Sequence, residues 1–385
     1  MWLRDLSLST AVAGFVAVLV GFTSSVAIVF QAAQALGATQ AQTTSWMWAL
    51  GLGMGLTSVG LSLWTRQPIL TAWSTPGAAL LAGTQGITMP EAVGAFIVCG
   101  ALITLVGVTR WFERVMDRIP LAVAAALLAG VLARFGLDAV LTVSTAPLLV
   151  LVMAAAYVLG KRAWPRYAVP GVLLAGIAVA AVQGRLNLAA VDWAWAQPVW
   201  TTPTFSIAGL VGVALPLFVV TMASQNLPGV AAQRACGYLT PVSSSIAVTG
   251  LTTALLAPFG GYSFNLAAIT AAICMGPEAH ADPARRYTAA VMAGLVYIAM
   301  GLAGGAVVGL LVAFPRELVA AIAGLALLGT IAGGLAAALK DEQHRDAAIL
   351  TFLVTLSGVS FFGIGSAFWG VVVGSLALAL QGLRR

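Results

Sequence analysis

Two stretches of the chain set hydrogen-bonding side chains beside helix-breaking residues in apolar surroundings. In "LTAWSTPGAALLAG", Thr71, Trp73, Ser74 and Thr75 run straight into Pro76-Gly77. In "PFGGYSFNLAAITAA", Pro258 and Gly260-Gly261 precede Tyr262, Ser263, Phe264 and Asn265. Such groups bind rather than react. A helix start offers unpaired N–H groups and a partial positive charge, which suit an anion. If half-helices begin at Pro76-Gly77 and near Asn265, their N-termini point inward and can hold a carboxylate. Trp73, Tyr262 and Phe264 could wall an aromatic ring, although single rings more often only pack.

A second polar group lies in two other segments. Ser24, Ser25 and Gln31 occur in "SSVAIVFQAAQALG", and Gln225 and Asn226 in "SQNLPGVAAQRACG". Hydroxyls often bond back to their own helix. The amides are costlier to bury and therefore more informative. Amides and hydroxyls can bind a carboxylate without placing a fixed charge in a bilayer.

The elements that must position these groups are membrane spans. The chain has 385 residues, 61% hydrophobic and only 8% charged, with a mean hydropathy of +1.01. A soluble domain carries about 25% charged residues. Composition therefore predicts an all-α polytopic protein of the lipid bilayer. About fourteen apolar segments follow one another, and those at 69–84 and 261–276 are conspicuously short. Irregular backbone at membrane depth is tolerated only where protein or a watery cavity satisfies it.

With the N-terminus in the cytoplasm and fourteen spans, all 18 Lys and Arg fall inside except Arg134, Arg185 and Arg316. That bias predicts an even span count with both termini cytoplasmic. It also accounts for the net charge of +6 without a nucleic-acid partner, since no basic patch is interleaved with aromatics. Cys99, Cys236 and Cys274 have no CxxC spacing, and His280 and His344 fall in loops. There is no metal-spaced cluster, phosphate loop or nucleophile–His–acid set. No metal, cofactor or enzymatic activity is expected.

The polar stretches repeat. Six residues separate a Ser from a following Ala-Ala-Gln in both the first span (Ser25) and the eighth (Ser224). An aromatic-Ser pair precedes a helix opening with Ala-Ala in both the third (Trp73-Ser74) and the tenth (Tyr262-Ser263). First matches eighth and third matches tenth, the order expected of a seven-plus-seven inverted repeat.

On "TAWSTPGAALL", "SQNLPGVAAQRACGY" and "PFGGYSFNLAAITAAICMGPEAHADPARRY", the chain resembles the benzoate/proton symporter (BenE) family of bacterial inner-membrane transporters, over nearly its whole length. That family looks distantly related to nucleobase and sulfate permeases. The resemblance implies a core domain of residues 1–118 and 201–314 moving against a gate domain of 119–200 and 315–385. It implies strand-plus-half-helix segments at spans three and ten, with substrate between them. It also implies alternating access, proton symport and often a homodimer. Site residues implied are Ser24, Ser25, Gln31, Trp73, Ser74, Thr75, Gly77, Gln225, Asn226, Tyr262, Ser263, Phe264 and Asn265.

One departure bears on the substrate. Nucleobase permeases carry a Glu in the eighth span, where this chain has Gln225-Asn226. Neutral amides suit an anionic carboxylate, which a buried Glu would repel. A small aromatic carboxylate is therefore expected as substrate. A nucleobase or other organic anion, or an anion channel on the same scaffold, stays as the alternative. The proton's carrier is not evident. Glu91 and Asp138, at span ends, are weak candidates.

Overall fold

The computed structural model describes residues 2–117, 119–164, 167–186, 195–303, 313–359, 361 and 366–382. The apolar segments fold as helices because only a helix satisfies its own backbone in lipid. In chain order they are α1 (Leu8–Ala35), α2 (Gln40–Thr65), β1 (Thr71–Trp73), α3 (Thr75–Ala82), α4 (Met89–Val108), α5 (Trp111–Met116), α6 (Leu121–Leu141), α7 (Pro147–Ala163) and α8 (Ala168–Val182). Then come α9 (Ile207–Ala235), α10 (Val242–Leu256), β2 (Phe264–Leu266), α11 (Ile269–Met275), α12 (Tyr287–Ala303), α13 (Arg316–Lys340), α14 (Arg345–Ser357) and α15 (Ser366–Gly382).

Among the described residues, seven helices are long and apolar enough to cross a membrane. Large apolar side chains such as Leu56, Leu105, Leu141 and Leu255 stand exposed on them. Such faces suit a protein whose solvent is lipid. The chain is an all-α polytopic membrane protein.

The two short segments each pair a strand with a short helix. β1 and β2 run antiparallel, with Thr71 opposite Leu266, Ala72 opposite Asn265 and Trp73 opposite Phe264. A two-stranded sheet leaves outward-facing N–H groups that lipid cannot satisfy. Side chains of neighbouring helices take them. Ser58 Oγ accepts from Thr71 N at 3.0 Å. Thr253 Oγ1 accepts from Phe264 N, and Asn226 Oδ1 from Leu266 N, each at 2.9 Å.

The second short helix starts later than its sequence suggests. Asn265 is the centre of β2, and α11 begins only at Ile269. Pairing with β1 extends through Ala267 N, which donates to Leu70 O at 2.9 Å. The strand therefore claims residues that local propensity would allow to a helix. The first short helix begins at Thr75, beside the expected Pro76-Gly77.

Two further features shape the interior. In α9, wide π turns at Leu210–Ala214 and Met222–Asn226 each end just before a proline, Pro216 and Pro228. Proline has no N–H and its ring crowds the carbonyl four residues back, so the backbone widens there. And α6 does not stop at residue 134 but runs to Leu141. No proline interrupts "ARFGLDAVL", whose Ala, Arg and Leu favour helix, until Pro147. Arg134 therefore lies within a helix and not in an external loop.

Candidate functional site

A cavity of about 390 Å³ opens between α1, the β1–α3 and β2–α11 segments, α9 and α12 on one side, and α6, α14 and α15 on the other. Small-molecule sites span about 300–1,000 Å³. The cavity's wall is largely apolar, with Val20, Met54, Trp73, Val131, Phe135 and Tyr297 among its residues.

Ser25, Trp73, Thr75 and Gln225 all meet there, as the polar stretches of the sequence led us to expect. Ser25 Oγ donates to Gly21 O and accepts from Trp73 Nε1, both at 2.9 Å. That bond fixes the indole against α1. Gln225 is half-buried and lies in the second π turn of α9. The widened turn directs Gln225 to the cavity and the next residue, Asn226, to the sheet.

Other expected residues build the frame. Ser74 and Ser263 share a buried hydroxyl network with Thr221, at 3.1 and 2.9 Å. Gly77 N donates to Ser74 Oγ at 3.1 Å. Tyr262 is fully buried, donates to Ser74 O at 2.9 Å and packs on Trp46 and Phe96. Phe264 sits against Gly53 of α2, where even one added carbon would overlap its ring. These two aromatics therefore wall the sheet and not the cavity. Asn226 accepts from the sheet's edge and donates to Met222 Sδ at 3.2 Å. Gln31 is exposed and lines no part of the cavity. The side chain of Ser24 lies outside the described residues.

Asn265 is different. It is fully buried, yet neither its Nδ2 nor its Oδ1 has a hydrogen-bond partner among the described residues. It stands directly across the sheet from Ala72, which lines the cavity. Cross-strand partners project from the same face. Thr270 Oγ1 and Thr355 Oγ1, from opposite walls, are likewise buried without partners, and both residues line the cavity. Buried polar atoms without partners are uncommon in folded proteins. Here two of them, Thr270 and Thr355, line one space, with Asn265 across the sheet from its wall, whereas Ser245 and Glu278 lie elsewhere.

The sequence reading missed Arg134, Thr270, Thr355 and Ser366, all of which line the cavity. The charge bias puts Arg134 outside, with Arg185 and Arg316. The Arg134 guanidinium reaches the C-terminal turn of α14, where Gly358 has φ 68° and a Cβ would overlap Nη1. The partial negative charge of that helix end favours a cation. Among the described residues, Arg134 makes no ion pair, and no Asp or Glu lines the cavity. A continuous apolar run with one Arg could have signalled a functional charge.

The two weak proton candidates lie elsewhere. Glu91 Oε2 accepts from Thr88 N and Oγ1 at 2.9 and 2.8 Å, closing the start of α4. Asp138 is exposed on α6. Neither lines the cavity. The described residues include no group of three or more His, Cys, Asp and Glu able to hold a metal.

A family model described as "Benzoate membrane transport protein" matches residues 4–380. The chain belongs to the BenE family. It is 50% identical to the inner membrane protein YdcO of Escherichia coli (strain K12), over 97% of this chain and 96% of that protein. It is 41% identical to a benzoate membrane transport protein of Acinetobacter baylyi, over 97% of this chain and 95% of that protein. Among solved structures, SLC26A9 aligns at 12% identity with a TM-score of 0.48, covering 99% of this chain and 67% of that one. That likeness is too loose to place individual residues. Membership of BenE makes this chain a membrane transporter and not an enzyme.

Proposed function

We propose that this BenE-family chain carries benzoate or a related aromatic carboxylate across the bacterial inner membrane, by proton symport with alternating access. The observation that carries this reading is the cavity with its partnerless polar groups. Thr270 and Thr355 offer unused hydrogen-bonding atoms at a space otherwise walled by Trp73, Phe135, Tyr297 and aliphatic side chains, and Asn265 lies behind it across the sheet from Ala72. An aromatic acid matches both parts: its ring meets the apolar wall and its carboxylate takes up hydrogen bonds.

The cavity lies where the expected core (1–118 and 201–314) meets the expected gate (119–200 and 315–385). Its walls come from both. Movement of one against the other would carry the site across the bilayer. The antiparallel pairing of β1 with β2 supports a fourteen-span inverted repeat. Ion pairs support the orientation. Asp5 meets Arg66 and Arg285, Asp117 meets Arg234, and Glu278 meets Lys161, all in segments read as cytoplasmic. Arg185 meets Glu317 on the side read as external.

The test is uptake of labelled benzoate into proteoliposomes, with and without an inward proton gradient. Saturable, gradient-driven uptake, competed by other aromatic acids and not by uracil, is expected. Absence of saturable uptake of any aromatic acid overturns the substrate. Indifference to the gradient overturns symport. Unsaturable current would favour a channel.

A further inference from the structure

A carboxylate leaving water for a largely apolar cavity loses its hydration unless a charge or several donors replace it. The hydroxyls and amides at this cavity supply donors. Among the described residues its lining contains a single charged side chain, Arg134 of α6. Arg134 is exposed, and three observations bear on its role. It lies seven residues before the end of α6, well inside a helix long enough to span. Among the described residues no carboxylate neutralises it. And its position is built: Gly358 vacates the space that the guanidinium fills at the C-terminal turn of α14.

We infer that Arg134 is the counter-charge of the transported carboxylate and sets the selectivity for an anion over its neutral isostere. The inference rests on the transport reading above and assigns the charge within it. The guanidinium offers a planar fork of N–H donors that fits both oxygens of a carboxylate. Thr355 Oγ1 and Ser366 lie on the same wall. The opposite wall brings Thr75, Gln225 and Thr270, with Asn265 on the adjoining face of the sheet.

The placement has a consequence for movement. Arg134 belongs to the gate, whereas the half-helices and α9 belong to the core. A carboxylate held by both walls links the two domains. Arg134 is thus a specificity residue, whose loss removes discrimination by charge and not the fold of the cavity.

The experiment measures binding of benzoate, cyclohexanecarboxylate and the neutral amide benzamide to purified full-length protein, together with thermal unfolding. The wild type is expected to bind benzoate and to discriminate strongly against benzamide. Arg134→Gln should weaken benzoate by about 10- to 100-fold and narrow its preference over benzamide, at an unfolding temperature near wild type. Arg134→Lys should restore part of the preference, because it keeps the charge and loses the fork.

An unchanged benzoate-to-benzamide ratio in Arg134→Gln overturns the inference, and so does equal loss of both ligands. If that variant does not fold, Arg134→Lys decides: an undiminished preference with undiminished affinity would mean that the fork is not used. Binding of cyclohexanecarboxylate but not benzoate, in an Arg134-dependent way, would overturn the aromatic substrate and uphold the counter-charge. If the wild type binds no carboxylate, both fall.

Discussion

Asn226 Oδ1 accepts a hydrogen bond from Leu266 N at 2.9 Å, joining the middle of α9 to the outer edge of β2. Both residues are buried, at 0% and 1% exposure, so no water can replace the bond. One residue earlier, Gln225 lines the cavity. Adjacent amides therefore do different work. Asn226→Ala should cost about 1–3 kcal/mol of stability by leaving a buried N–H unpaired. Gln225→Ala should leave the unfolding temperature unchanged and raise the KM for uptake. Thermal unfolding in detergent beside uptake kinetics separates the two. Similar behaviour of both variants would contradict the division.

Trp73 should report on the cavity through Ser25. Its Nε1–H is committed to Ser25 Oγ at 2.9 Å, and its ring packs edge-on against Phe22 at 5.8 Å between centroids. Trp73→Phe keeps a ring but drops the donor. A loss of about 0.5–1.5 kcal/mol is expected for one neutral hydrogen bond, read as a rise in KM of several-fold. An unchanged KM would show that the indole's orientation does not matter to the substrate.

Lys161→Met should be among the more destabilising changes at a helix end. Lys161 Nζ lies 2.8 Å from Glu278 Oε1, whose side chain is only 3% exposed. Gly329 of α13 leaves room for that carboxylate, since a Cβ there would lie 2.5 Å from Oε1. Removing the cation strands a buried negative charge. Breaking such a pair costs about 3–5 kcal/mol. The low end applies here, because Lys161 keeps 37% of its side chain exposed. Adding Glu278→Gln should recover part of the lost unfolding temperature. No recovery would mean that Lys161 acts through packing on Tyr157.

Gly51→Val should separate α2 from α12. A Cβ at Gly51 would lie 2.6 Å from Gly301 Cα, and one at Gly55 would lie 2.6 Å from Gly294 O. Small residues one turn apart let these helices approach backbone to backbone. The added bulk should cost about 1–3 kcal/mol and lower the unfolding temperature. Gly212→Val, whose Cβ would meet nothing within 4 Å, serves as the control. Equal effects of the two would argue against close packing at Gly51.

Much of this protein is determined by its sequence. The apolar composition forces helices, because backbone groups in lipid have no partner outside their own segment. The breakers around "WSTPG" and "GGYSFN" mark where helix cannot start on schedule. Ser25, Trp73, Thr75 and Gln225 stand out in the sequence because polar side chains in such surroundings are costly and need a reason. The family resemblance is legible too, in three motifs lying between residues 71 and 287.

What only the tertiary structure decided was direction and pairing. Asn226 and Gln225 look equivalent in the sequence, and a π turn before Pro228 sends one to the sheet and the other to the cavity. Tyr262, Phe264 and Asn265 read as one cluster, but strand pairing turns Asn265 to the face shared with Ala72 and buries the rings elsewhere. Arg134 read as a loop cation, because hydropathy falls there whether a helix ends or a charge enters a cavity. Local pattern records what a residue costs in lipid. Which neighbour meets that cost depends on contacts between residues far apart in the chain, such as Asn226 with Leu266 and Arg134 with Gly358.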